Sequence, residues 1–217
     1  MPVVLPVTHN PGDVLTSSGW NLQLRDSITK LLGTGHRVLT VAQFAALTGL
    51  EGTKGTVAPD EVYLEVDSTN GIQWHLAYES GETTYKWRFL GGPAMYSEVA
   101  ATEAITNAAY VALTTAGPSI AVPRAGDFDV QTGCNSWASG AGASAVMSYD
   151  IGGTGAVDAD SVQVGEATGQ VGGGGSVYRL RRKAALTAVT LTAKYRATSG
   201  QGNWEKRWMA VTPVRLI

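Results

Sequence analysis

The sequence predicts a mainly β protein, made of a short N-terminal helical segment, a small β meander and a C-terminal antiparallel β-sandwich of jelly-roll type. Three observations carry that prediction. Helical spacing of apolar residues is confined to the first 49 positions, alternation takes over near residue 61, and short strand-like runs punctuated by Gly, Pro, Asn and Asp fill the remainder. The chain has 27 glycines in 217 residues and is 16% charged, against averages of about 7% glycine and about 25% charged. It is therefore turn-rich and sparing of solvating charge.

In residues 1–49, Thr16, Ser17 and Ser18 offer N-caps to a helix in which Trp20, Leu24, Ile28 and Leu31 fall on one stripe, with Gly33 where a C-terminal cap belongs. A second short helix is predicted from Thr40. Gln43 completes a capping-box spacing there, Leu39 and Phe44 are placed as a hydrophobic staple, and the helix should end near Leu47. Helices this short do not persist alone in water. Trp20, Leu24, Ile28, Leu31 and Phe44 are accordingly read as contacts for oligomerisation or for docking on a larger particle.

Residues 50–93 read as a three-stranded meander. Val62, Leu64 and Val66 alternate with polar positions, Asp67 to Gly71 supply turn chemistry, and Ile72, Trp74, Leu76 and Tyr78 alternate again. A second turn at Glu79 to Thr83 leads to a third strand through Tyr85, Trp87 and Phe89. Residues 94–217 read as the sandwich. Its strands are expected near 110–113, 119–122, 127–138, 144–151, 161–164, 176–182, 188–197 and 205–215, with glycines such as Gly152, Gly153 and Gly172 to Gly175 in the loops between them.

Several phrases resemble virion structural proteins of tailed bacteriophages. They are Pro11-Gly12-Asp13-Val14-Leu15-Thr16 with Trp20-Asn21, the hairpin Asn70-Gly71-Ile72-Gln73-Trp74-His75-Leu76, and Tyr85-Lys86-Trp87-Arg88-Phe89-Leu90-Gly91-Gly92-Pro93. Gly117-Pro118-Ser119, Pro123 and Gly126-Asp127-Phe128 are similar to the start of the C-terminal β domain of such proteins. The closing stretch, from Leu186 through Lys194-Tyr195-Arg196 to Trp208-Met209-Ala210-Val211, resembles the last strands of trimeric jelly rolls of the tumour-necrosis-factor type. The resemblance implies a homotrimeric minor tail, tail-fibre or head-decoration protein. The chain itself shows no sustained heptad from which a count of three could be read.

Charge and cysteine content narrow the chemistry. A formal net charge of -2 without a dominant basic surface disfavours nucleic acid as a partner. The single cysteine, Cys134, cannot form an intramolecular disulfide or a Cys-pair zinc site. No apolar run approaches the roughly 20 residues of a membrane span, and residues 1–11 do not read as a signal peptide. The expected location is therefore the virion, after synthesis in the host cytoplasm.

Motifs for catalysis are weak. His9, His36 and His75 are scattered, no G-x-S-x-G elbow exists, and the glycine run 172–175 lacks the Lys-Ser/Thr ending of a phosphate loop. Asp127, Asp129, Asp150, Asp158 and Asp160 read as solvated strand ends rather than a glycosidase pair. The expectation is a protein that is not an enzyme and needs no cofactor or metal.

Two surface features remain as candidate contacts. Arg179, Arg181 and Arg182 form a local cationic cluster, read either as protection of a sheet edge or as a contact for an anionic partner. Trp204, beside Asn203 in a loop-like stretch, reads equally as core or as a sugar-stacking residue, whereas Trp137 and Trp208 read as core. The preferred reading is a trimeric minor tail or fibre protein that docks by its N-terminus and displays the sandwich for host-surface recognition. Capsid decoration, or a head fibre, is the alternative within that class. A carbohydrate-binding module is the alternative outside it.

Overall fold

The computed structural model describes residues 38–46, 61–140, 142–165 and 174–217. The predicted helix through Trp20, Leu24, Ile28 and Leu31 lies outside them. The capping box does form as read. Thr40 accepts a hydrogen bond from the Gln43 backbone N–H at 3.3 Å, and the Gln43 side chain accepts one from the Thr40 N–H at 3.0 Å. These bonds start α1 (Val41–Ala45), which is preceded by β1 (Val38–Thr40).

The meander follows as β2 (Glu61–Asp67), β3 (Ile72–Tyr78) and β4 (Trp87–Gly91). Its first turn is held by Asp67, whose Oδ1 accepts from the N–H groups of Thr69 and Asn70 at 3.0 and 3.1 Å, while Gly71 takes the left-handed φ of +66°. Alternation then buries Val62, Leu64, Trp74, Leu76, Tyr78 and Trp87 on one face, and Leu39 and Phe44 join the same core. The Phe44 ring lies 5.2 Å from that of Trp87. Phe44 is thus spent inside the protein's own core and is not a docking contact, because an apolar ring buried at home has no surface left to offer.

The sandwich begins earlier than the alternation suggests. After the meander come β5 (Met95–Val99), β6 (Glu103–Ile105), β7 (Ser119–Ala121), β8 (Gly126–Ala138), β9 (Ser144–Ile151), β10 (Val162–Gly165), β11 (Gly174–Leu186), β12 (Thr190–Ala197) and β13 (Gly202–Leu216). The strand expected at residues 110–113 shrinks to one bridge. There Val111 and Tyr195 exchange N–H···O bonds of 2.9 Å in both directions.

The pairing is that of a jelly roll. One sheet runs β10-β9-β12-β7; the other runs β1-β2-β3-β4-β13-β8-β11, with β5 and β6 also on β13. From β7 onward the chain crosses between the layers at every step except β9 to β10, and the two inner faces meet in one core containing Phe128, Val130, Met147, Tyr149, Leu191 and Tyr195. The meander is an extension of the long sheet, joined where Arg215 and Leu216 pair with Arg88 and Trp87. Gly126, at the start of β8, has no room for a side chain, since a Cβ there would lie 2.1 Å from the Arg215 carbonyl oxygen. Gly126→Ala is expected to lower stability by about 1–3 kcal/mol, measurable as a reduced denaturation midpoint; an unchanged midpoint would contradict this packing.

A bulge in β13 decides which of its residues are core. Its register against β8 shifts between Glu205 and Trp208, and Lys206 sits at a φ of +46°. One extra residue moves every later side chain to the opposite face. Gly202 and Trp204 point inward before the bulge; Arg207, Met209 and Val211 point inward after it.

Candidate functional site

The bulge decides one open sequence reading, that of Trp204, and overturns another, the core placement of Trp208. Trp204 is fully buried, 0% exposed, with its ring 5.5 Å from that of Tyr195. It is core and cannot stack on a sugar, and Asn203 is occupied in donating to the Trp137 carbonyl at 3.5 Å. Trp208 and Trp137 instead stand half-buried on the outer face of the long sheet.

Beside Trp204 lies a polar cluster inside the sandwich. Arg207 is 0% exposed and pairs through Nη2 with Glu103 at 3.4 Å. Its guanidinium lies 5.4 Å from the Tyr195 ring centre, and its Nε and Nη1, like Nε1 of Trp204, find no hydrogen-bond acceptor among the described residues. Burial pushes Glu103 up, but hydrogen bonds from Thr115 and the Arg207 charge outweigh it and hold the carboxyl below its ordinary range. Burial also pushes the Cys134 thiol up to about 12, so that it stays protonated and unreactive.

The arginine cluster on β11 is split between the two faces of its strand. Leu180 is 51% exposed and Tyr178 is 75% exposed, while Arg179 and Arg181 are half-buried on the other side of the strand. There they bind the turn at Asp158–Asp160 that precedes β10. Arg179 donates to the Ser161 carbonyl at 2.9 Å and Arg181 Nε to the Ala159 carbonyl at 2.7 Å. Lys183 pairs with Asp160, and Arg196 clasps Asp158 at 2.9 and 3.0 Å. Hydrogen bonds from Tyr110 and Arg196 hold the Asp158 carboxyl below its ordinary range.

Arg182, on the outer face, is paired with Asp129 at 3.0 Å. All three arginines are engaged within the protein itself: two reach neutral carbonyl oxygens and one a carboxylate of the same chain. The strand that carries them, β11, is an edge strand of the long sheet.

What the outer face of the long sheet does present is aromatic. Cross-strand register aligns Tyr178, Gly133, Trp208 and Glu98 in one row, and Leu180, Gln131, Ala210 and Tyr96 in the next. A Cβ on Gly133 would lie 2.6 Å from the Trp208 ring, so the indole lies across the glycine towards Tyr178. On its other side it stacks with Tyr96 at 6.3 Å and 25°. Tyr96, Tyr178 and Leu180 escaped the sequence reading, because a residue's solvent face becomes known only once its strand has a register. The alternation of Tyr178 and Leu180 with Arg179 and Arg181 was the available signal, and it pointed both ways.

No family model matches the chain, and comparison with curated proteins finds no match. Solved structures with a similar fold include the Eiger TNF of S. frugiperda, 10% identical, covering 58% of this chain and 93% of that one at a TM-score of 0.39. Infectious bursal disease virus, Gx strain, is 11% identical, with 66% of this chain and 42% of the viral one covered at 0.37. A carbohydrate-binding module of lichenase 5A from Cellvibrio mixtus, solved in complex with cellotriose, is 15% identical, with 65% of this chain and 86% of that one covered at 0.27. The class of the protein, a mainly β jelly-roll sandwich, stands on its own strand order.

Proposed function

We propose that this is a non-enzymatic structural protein of a tailed-bacteriophage virion, a homotrimeric minor tail or fibre component. It docks through its N-terminal segment and displays the sandwich, with recognition of the host surface as the use of that display. The observation that carries self-assembly is the apolar outer face around Trp208. A large exposed patch on one sheet face marks an interaction surface, and here an indole and two tyrosines lie side by side in contiguous rows. The virion reading rests on the phrases between Pro11 and Phe128 that resemble phage structural proteins.

The docking residues under this reading are Trp20, Leu24, Ile28 and Leu31, without Phe44. Light scattering on the purified full chain is expected to give three protomers, and a mass that stays monomeric at high concentration would overturn self-assembly. Antibody labelling of particles is expected to place the protein on the tail. Labelling of the capsid would select the decoration role instead, and absence from purified particles would sink the virion reading. Leu24→Asp with Ile28→Asp is expected to block incorporation into particles without dissociating the free oligomer.

A further inference from the structure

The turn between β2 and β3 presents an asparagine followed by a glycine to solvent. Asn70 and Gly71 are both exposed, and nothing lies within 4 Å of the place where a Gly71 side chain would begin. Asp67 Oδ1 accepts from the N–H groups of Thr69 and Asn70 at 3.0 and 3.1 Å, and its Oδ2 accepts from the Asn70 side-chain amide at 2.7 Å. Gly71 lies outside both strands, and among the described residues no acceptor takes its N–H. We propose that this turn is a modification site at which the chain acts on itself, converting Asn70 to aspartate and isoaspartate without an enzyme. It depends on neither the virion reading nor self-assembly.

The chemistry needs base and water alone. Hydroxide or a buffer base takes the proton of the Gly71 nitrogen, which attacks Cγ of Asn70. The bond from Cγ to Nδ2 breaks, ammonia leaves with a proton drawn from water, and a five-membered succinimide closes. Water then adds to one of its two carbonyls. Cutting the bond from Cγ to the Gly71 nitrogen leaves aspartate; cutting the backbone bond leaves isoaspartate. One water enters, one ammonia departs, and no electrons are transferred. Asparagine is among the labile residues, and glycine at 71 favours the attack because no Cβ crowds the approaching backbone. The other asparagines, Asn10, Asn21, Asn107, Asn135 and Asn203, precede Pro11, Leu22, Ala108, Ser136 and Trp204. Asn135 and Asn203 are also held within strands, donating to Glu205 and to the Trp137 carbonyl.

The clasp by Asp67 governs both rate and consequence. The amide must leave Oδ2 before Cγ can reach the Gly71 nitrogen, so the folded hairpin reacts more slowly than a free peptide. Hydrogen bonds from Asn70 and Thr69 hold the Asp67 carboxyl below its ordinary range, which makes it an anion that only accepts. Once the amide becomes a carboxylate, a donor is replaced by a like charge, and the 2.7 Å contact turns from attraction to repulsion. Isoaspartate also adds a methylene to the main chain of the turn that fixes the register of β2 and β3. The buried Val62, Leu64, Trp74 and Leu76 stand on that register.

The test ages the full chain in warm, mildly alkaline buffer and follows intact mass, peptide maps and ammonia. Wild type is expected to gain about one dalton, with the change confined to the peptide that carries Asn70 and part of it labelled by isoaspartyl methyltransferase. Asn70→Ser is expected to abolish the gain. A gain that persists in that variant, or that maps to another asparagine, would overturn the site, as would an unchanged protein under conditions that convert the free peptide 67–76. Asn70→Asp installs the charge without lengthening the chain and is expected to lower the melting midpoint by about 2–4 °C at neutral pH, with the aged protein falling at least as far. An Asn70→Asp midpoint equal to that of wild type would overturn the role given to the clasp.

Discussion

Glu103→Ala is expected to cost about 3–5 kcal/mol of folding stability, because it strands a buried guanidinium. Arg207 is 0% exposed and reaches one carboxylate among the described residues, that of Glu103. The same carboxylate accepts from the Thr115 N–H at 2.9 Å, a bond that its removal also breaks. Replacing both partners by apolar residues, Glu103→Leu with Arg207→Met, is expected to recover most of the loss, since an uncharged filling carries no desolvation cost. Denaturant melts at fixed protomer concentration measure both. Equal midpoints for wild type and Glu103→Ala would show that the charge inside the sandwich does not depend on this pair.

The pair also sets an acid limit. A carboxyl held below its ordinary value of 4.5 in the folded state binds its proton more readily when unfolded. Its contribution is therefore complete above that value and is lost as pH falls through the lower, folded pKa. The wild-type midpoint is expected to drop over that interval more steeply than that of the double variant, which has no Glu103 to titrate. Asp158, also held low, contributes with the same sign through its clasp with Arg196, so the comparison between the two proteins is needed to isolate Glu103.

Trp204→Ala is expected to be of similar size, about 3–5 kcal/mol, as for other large aromatic rings removed from cores. The ring is fully buried against Tyr195, and Gly202 is the residue over which it folds, a Cβ there lying 2.5 Å from it. Trp208→Ala is the contrast: a half-buried outer-face ring whose loss is expected to cost under half as much stability and to fall mainly on association. Thermal melts and sedimentation of the two variants side by side separate the roles. A Trp204→Ala protein as stable as wild type would contradict the inward placement of its strand.

These two tryptophans show where the sequence stopped being legible. The hairpin between β2 and β3 could be read because alternation, an Asp-led turn and Gly71 all state one register locally. The capping box at Thr40 could be read for the same reason, as its partners are three residues apart. The inward face of β13 could not, because it is set by a bulge at Lys206 against a strand about 70 residues earlier in the chain. The basic cluster failed similarly. Nothing within Tyr178 to Lys183 says that Arg179 and Arg181 will find carbonyls near Asp158–Asp160, and so must turn away from Tyr178. The strands β5 and β6 escaped notice because each is short and is ordered by pairing with β13. Local chemistry reveals elements, while long-range pairing decides their faces, and a surface site is a property of faces.

The position of β13 has a consequence for how the molecule is made. That one strand, Gly202–Leu216, is hydrogen-bonded to β4, β5, β6 and β8, so the meander, the early strands and the centre of the sandwich all converge on it. Residues 38–197 can collapse as they leave the ribosome, but the long sheet stays split down the middle until this strand is inserted. A chain broken off before residue 202 cannot complete the outer face or its aromatic band. Completion of synthesis thereby becomes a condition for forming the outer face, and unfinished copies are excluded by geometry from any contact made through it.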